Sequence, residues 1–132
     1  MLKQKINYEG FDGPVTTEEY FNLTRIELIE FQGRHGGKEI EARINEIQKN
    51  EDLTALYALL KDLILSAYGK REGDRFVKNK EVRDEFGQSL AFGQLIEDLH
   101  ENETSMLTFV KGILSSIKGL DELVNKEALQ QG

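Results

Sequence analysis

Cysteine and tryptophan are absent from this 132-residue sequence, proline occurs once and histidine twice. Without cysteine there can be no disulfide, no thiolate zinc site and no cysteine nucleophile. Long apolar runs are missing as well. None approaches the ~20 residues needed to cross a bilayer, so no membrane partner is expected. The opening residues, MLKQKINYEG, lack the apolar core of a signal peptide, and the chain reads as cytosolic. On that reading the Asn-x-Thr sequons at Asn22 and Asn102 carry no meaning, because glycosylation needs a secretory route.

Positive charge is also scarce. Seventeen Lys and Arg face 24 Asp and Glu, a net charge of −7. Affinity for phosphate backbones and anionic lipid rests on Lys and Arg, so no nucleic-acid partner is expected, and the acidic balance favours solubility. The local exception is Lys70 to Lys80, where five basic residues outnumber Glu72 and Asp74. The length predicts one domain, and at this size roughly two thirds of the unfolded chain's surface can be buried. A hydrophobic fraction of 39% with 31% charged residues fits a soluble, helix-rich protein.

Residues 4–23 read as a β-hairpin. KINYE and EEYFNL are rich in strand formers, and GFDGPV between them has turn chemistry, with Pro14 assigned to the connection. Thr24 and Glu27 form a capping box, with Leu23 and Leu28 placed as its hydrophobic staple. A rival start at Thr16, paired with Glu19, is set aside because Tyr20 and Phe21 suit a strand. Gly33 is the expected stop of this helix. Ile40, Ile44 and Ile47 recur at helical spacing.

The strongest helix spans about 51–68. Leu53, Leu56, Tyr57, Leu60, Leu63, Ile64 and Ala67 make its apolar stripe, Glu51 and Asp52 its acidic first turn, and Gly69 its left-handed stop. Asn79 caps a short helix carrying Val82 and Phe86, which Gly87 interrupts. Ser89 caps another with Phe92, Leu95, Ile96 and Leu99. Asn102 or Thr104 starts one bearing Leu107, Val110, Ile113, Leu114 and Ile117. The expected fold is mainly α, a compact bundle of five to six helices with an N-terminal β-hairpin. Residues 1–118 would form the domain and 119–132 a weakly amphipathic tail.

Little here suggests chemistry. His35, in the loop GRHGG, is expected to be solvent-exposed. His100 with Glu97 at i, i+3 resembles half of a di-iron site, but no second Glu-x-x-His exists, so a surface histidine is expected and no metal or cofactor. GRHGGKE is too short for a phosphate loop and has Glu39 where Ser or Thr would hold magnesium. No serine sits in a nucleophile elbow. No catalytic residue is assigned. AYGKREGDRFVKN reads as a helix stop, a Glu-Gly-Asp turn and an extended RFVK whose Phe76 plugs the core.

Three stretches taken together, YFNLTRIELIEF, LLKDLILSAYGKREGDRFVKNKEVRDEF and QSLAFGQLIEDL, resemble in order and spacing the tail assembly chaperones of long-tailed bacteriophages. The likeness runs from about Tyr8 to about Leu114. Recurrent positions of that family fall on Tyr68, Gly69, Arg75, Phe76, Lys78, Phe86, Phe92, Leu95, Leu99 and Phe109, mostly apolar or turn residues that maintain a fold. Departures are a slightly short turn after Gly69, Leu90 where an acid is commoner, and Phe92 where tyrosine is.

The resemblance implies a non-catalytic assembly factor of the host cell cytoplasm. It would bind the tape measure protein, keep it soluble while tail-tube subunits polymerise around it, and leave before the virion is complete. It leaves open contact with the major tail tube protein, and a homo-oligomer or a hetero-oligomer with a frameshifted longer form. A client groove could lie between helices 51–68 and 89–100 or between subunits. Leu120, Leu123, Val124 and Leu129 of the terminal segment are candidate client-binding residues. The alternative function is a structural tail protein, a terminator or connector, retained in the virion.

Overall fold

A computed structural model describes residues 1–117 of the chain. β1 (Leu2–Gly10) and β2 (Gly13–Phe21) pair antiparallel in unbroken register, from Leu2 opposite Phe21 to Gly10 opposite Gly13. Exposed Lys3, Lys5, Asn7 and Glu9 alternate along β1 with inward Leu2, Gln4, Ile6 and Tyr8, the period-two pattern of a half-buried strand. β3 (Tyr68–Glu72) adds to β2 only through Tyr20–Gly69 and Phe21–Tyr68, and β4 (Arg75–Val77) pairs with β3. The sheet is therefore four-stranded, in the order β1-β2-β3-β4.

Six helices accompany it among the described residues: α1 (Arg25–Arg34), α2 (Ile40–Lys49), α3 (Leu53–Ala67), α4 (Lys80–Gly87), α5 (Leu90–Glu101) and α6 (Glu103–Leu114). The fold is thus mainly α, but the sheet is larger than the expected hairpin and the body is not a pure bundle. β3 escaped sequence reading because YGKRE has no strand pattern of its own. It is a strand because Phe21 and Tyr20 offer it an edge.

The helix starts follow local chemistry. Thr24 and Glu27 make the reciprocal capping box, with bonds of 3.2 and 3.0 Å, and Leu23 and Leu28 beside it are both buried. Asn79, Ser89 and Asn102 cap α4, α5 and α6 through their side-chain oxygens. α3 is the central helix, packed against α1, α2, α4 and α5, with Leu59, Leu60, Leu63, Ile64 and Ala67 sealed from solvent. Each large apolar side chain buried in this way stabilises the fold by roughly 1.5–3 kcal/mol. Below it Phe21, Tyr68, Phe86, Phe92 and Phe109 form an aromatic cluster, with the Tyr68 and Phe86 rings stacked at 3.9 Å between centroids.

Several local expectations are corrected. α1 continues through Gly33 to Arg34, and the left-handed residues are Gly36 and Gly37, at φ 89° and 77°. Gly69 does not close α3 in a left-handed conformation. Tyr68 leaves the helix extended, and Gly69 lies in β3 opposite Tyr20, where a Cβ would meet the Phe76 ring at 2.6 Å. Phe76 is half-buried over that glycine and is not a core plug. Pro14 belongs to β2, opposite Glu9. β3 pairs only with Tyr20 and Phe21, so nothing on the outer side of Pro14 requires an N–H.

Glu51 and Asp52 precede the first turn of α3. Asp52 is its N-cap, accepting from the Ala55 N–H at 3.0 Å. The Asp52 N–H bonds to the Ile47 carbonyl and the Glu51 N–H to that of Gln48, a Schellman closure of α2. It puts Glu51 at φ 53°, a place where glycine is usual.

Candidate interaction surface

The family-matching positions fall mainly inside the molecule. Tyr68, Gly69, Phe86, Phe92, Leu95, Leu99 and Phe109 are buried, Phe76 and Lys78 are half-buried, and Arg75 is exposed. The Tyr68 hydroxyl donates to the Glu19 carboxylate at 3.0 Å, and burial, followed by the charge of Glu19, pushes the phenol well above its ordinary range.

Lys78 is the keystone of that region. Its Nζ donates to both Glu27 carboxylate oxygens, at 2.8 and 2.9 Å, and to the carbonyls of Asn22 and Ser66. One ammonium thereby ties the loop before α4 to the start of α1 and the end of α3. Burial pulls Lys78 below its usual value, against the opposing pull of Glu27. Burial works to raise Glu27, but Lys78 and the Thr24 N–H outweigh it and hold the carboxyl low.

A second joint forms around Asp62 on α3. It accepts from Arg34 at 3.0 and 3.1 Å and from Ser66 at 3.1 Å, and it lies 2.6 Å from His35 Nε2. Burial works to raise Asp62, yet these donors hold its carboxyl below the ordinary value. His35 is therefore not the solvent-exposed loop residue expected. Its ring lies 4.5 Å from that of Phe31 and its side chain closes α1 onto α3. Both joints serve the fold, and neither presents a nucleophile to an open pocket.

Surface able to receive a partner lies elsewhere. A cleft of about 430 Å³ opens where the α2–α3 turn meets the α5–α6 turn. Its floor is Ile47, Leu53 and Leu56, and Glu51, Asp52 and Glu103 stand at its rim. Leu53 is 49% exposed, so the first residue of the α3 apolar stripe faces this cleft and not the core. No lysine or arginine lines it. Among the described residues none of its three carboxylates has an ion-pair partner. At one end Tyr57 and His100 share a hydrogen bond of 3.1 Å, joining α3 to α5.

A second cleft, of about 670 Å³, lies between β1, α5 and α6, with Leu2, Leu95, Leu99 and Phe109 below and Asp98 and Glu101 at its edge. Ile26 and Ile29 are exposed on the outer face of α1, which is apolar on both sides, since Leu28 and Phe31 occupy the inner face. The basic residues of the 70–80 stretch are largely engaged at home, Lys70 with Glu85, Lys78 with Glu27 and Lys80 with Asp84. Leu120, Leu123, Val124 and Leu129 lie outside the described residues.

Sequence reasoning placed Leu53 in a core stripe and Glu51 and Asp52 in a helix turn, and so missed the cleft. The available signal was the spacing itself, because Leu53 sits at the very start of α3, where a side chain overhangs the preceding turn.

Comparison with curated proteins and with solved structures finds no match. The model of one family, described as phage tail assembly chaperone, matches residues 1–119. That span takes in every described element of the fold, and membership implies interaction with tail proteins. The chain belongs to the phage tail assembly chaperone family.

Proposed function

We propose that the protein binds the tape measure protein in the host cytoplasm and keeps it soluble while the tail tube assembles, without catalysing a reaction. The observation that carries this reading is the family match over residues 1–119. The physical mode is helix-in-groove binding, in which apolar side chains at i, i+3, i+4 and i+7 of a client helix enter a cleft. The two clefts beside the α5–α6 turn have the form this requires, apolar below and acidic above. A net charge of −7 keeps a loaded complex dispersed. With each buried anchor worth about 1.5–3 kcal/mol, a few anchors give reversible capture, which suits a client that tube subunits must later enclose.

On this reading the chaperone departs before the virion is complete, and residues 119–132, with Leu120, Leu123, Val124 and Leu129, act as an additional client-binding tail. Several copies would line one long client, as homo-oligomers or together with a frameshifted longer form. The test is co-expression with the large tape measure protein, followed by pull-down and a solubility assay. Retention of that protein in the soluble fraction only when the chain is present is the expected result. Equal solubility without the chain would remove the reading. Recovery of the chain from purified particles would favour a structural tail protein.

A further inference from the structure

The cleft at the α2–α3 and α5–α6 turns has a chemical preference that family membership does not specify. Its apolar floor offers Leu53, with Ile47 and Leu56 behind it, to a side chain of about leucine or phenylalanine size. Around that floor stand Glu51 and Asp52 of the α2–α3 turn and Glu103 of the first turn of α6. These carboxylates have no cationic partner among the described residues, and no lysine or arginine lines the cleft. Asp52 uses Oδ1 on the Ala55 N–H, which leaves its second oxygen for another donor. The Glu51 side chain is held there by a left-handed backbone that glycine would adopt at lower cost.

We infer that this cleft takes an amphipathic helix whose apolar anchor is flanked by lysine or arginine. The anchor sits on Leu53, and its basic neighbours one turn away reach Glu51, Asp52 and Glu103. The match of sign gives selectivity and faster encounter more than raw affinity. A helix with the same apolar stripe but acidic flanks would set like charges against the rim and be rejected. This rests on the client-binding reading above and narrows it to basic-flanked helical segments of the client.

The test uses the full chain and two synthetic helical peptides that share one leucine stripe, one flanked by lysine and the other by glutamate. Their binding is read by fluorescence anisotropy at low and at moderate salt. The expected result is at least tenfold tighter binding of the lysine peptide. That preference should fall by fivefold or more in the E51Q/E103Q double variant and persist in an E30Q/E81Q variant, which loses the same charge from exposed sites on α1 and α4. Leu53→Ala should weaken the lysine peptide at both salt concentrations.

Equal loss in the two double variants would mean general attraction to an acidic protein and would overturn the proposal, as would equal binding of the two peptides. The outcome is separable from the family-level reading. If E51Q/E103Q and Leu53→Ala chains still keep the tape measure protein soluble, the chaperone stands and the cleft is not its seat. If peptide selectivity holds while that protein is unaffected by the chain, the cleft stands and the client is another.

Discussion

The Lys78 joint and the acidic corner use charge in opposite ways. At the joint one ammonium satisfies a carboxylate and a carbonyl at the start of α1 and a carbonyl at the end of α3. At the corner three carboxylates, two from the α2–α3 turn and one from α6, line one cleft and none is answered from within the described chain. Each arrangement brings distant residues together, but the first is closed and the second is open. Breaking a closed cluster registers directly as lost stability, whereas an open one registers only when a partner is present. Charges that hold this fold together and charges available to another molecule are thus separable by whether their partners lie inside the same chain.

The sharpest way to break the contrast is Lys78→Ala. It leaves Glu27 and two carbonyls without their donor, and should cost roughly 2–3 kcal/mol, since partly exposed groups regain some water. Urea unfolding would read it as a lower midpoint. The same joints set the acid response. Glu27 and Asp62 both have carboxyls held below their ordinary values. Their contribution is therefore present above the ordinary carboxylate pKa of ~4 and is lost as pH falls through the depressed folded values. Unfolding followed against pH should show stability declining below about pH 4, and Lys78→Ala should flatten that decline by the share belonging to Glu27.

Gly69→Ala comes next. The new Cβ would lie 2.6 Å from the Phe76 ring, so the ring must swing aside or the β3–β4 hairpin shift, at about 1–3 kcal/mol for overpacking. Glu51→Gly sharpens the comparison from the other side. Relief of the left-handed glutamate should stabilise the chain by about 1 kcal/mol while weakening capture of a lysine-flanked helix. Stability would rise and binding would fall in one variant. Smallest is the pair Gly93→Ala and Glu103→Gln. Gly93 meets nothing within 4 Å and should gain up to about 1 kcal/mol of helix propensity. Glu103→Gln should stay within about 0.5 kcal/mol of the parent, and so report on binding alone.

Glycines show where local signals end. Gly33, Gly69 and Gly112 carry the same local signal, a residue with no side chain near a helical run. Gly33 rides inside α1 with open space around it, Gly69 makes room for the Phe76 ring, and Gly112 admits Leu2 of β1, whose Cδ1 would lie 2.8 Å from an added Cβ. Nothing adjacent in sequence distinguishes them, because Gly69 meets its neighbour across the β3–β4 hairpin and Gly112 meets one from the other end of the chain.

The sequence by itself determined the helix starts and the inward faces. A capping side chain and its N–H are three residues apart, and apolar period is a property of one segment, so both are decided locally. Thr24, Asn79, Ser89 and Asn102 cap as their spacing requires, and the stripes of α2, α5 and α6 are buried as their period requires. Only tertiary structure decided that YGKRE is a strand, that His35 closes on Asp62, that Lys78 bridges three elements, and that Leu53 faces an acidic cleft. Those outcomes depend on groups separated by dozens of residues, whose meeting is set by how the helices and sheet bury their apolar faces together.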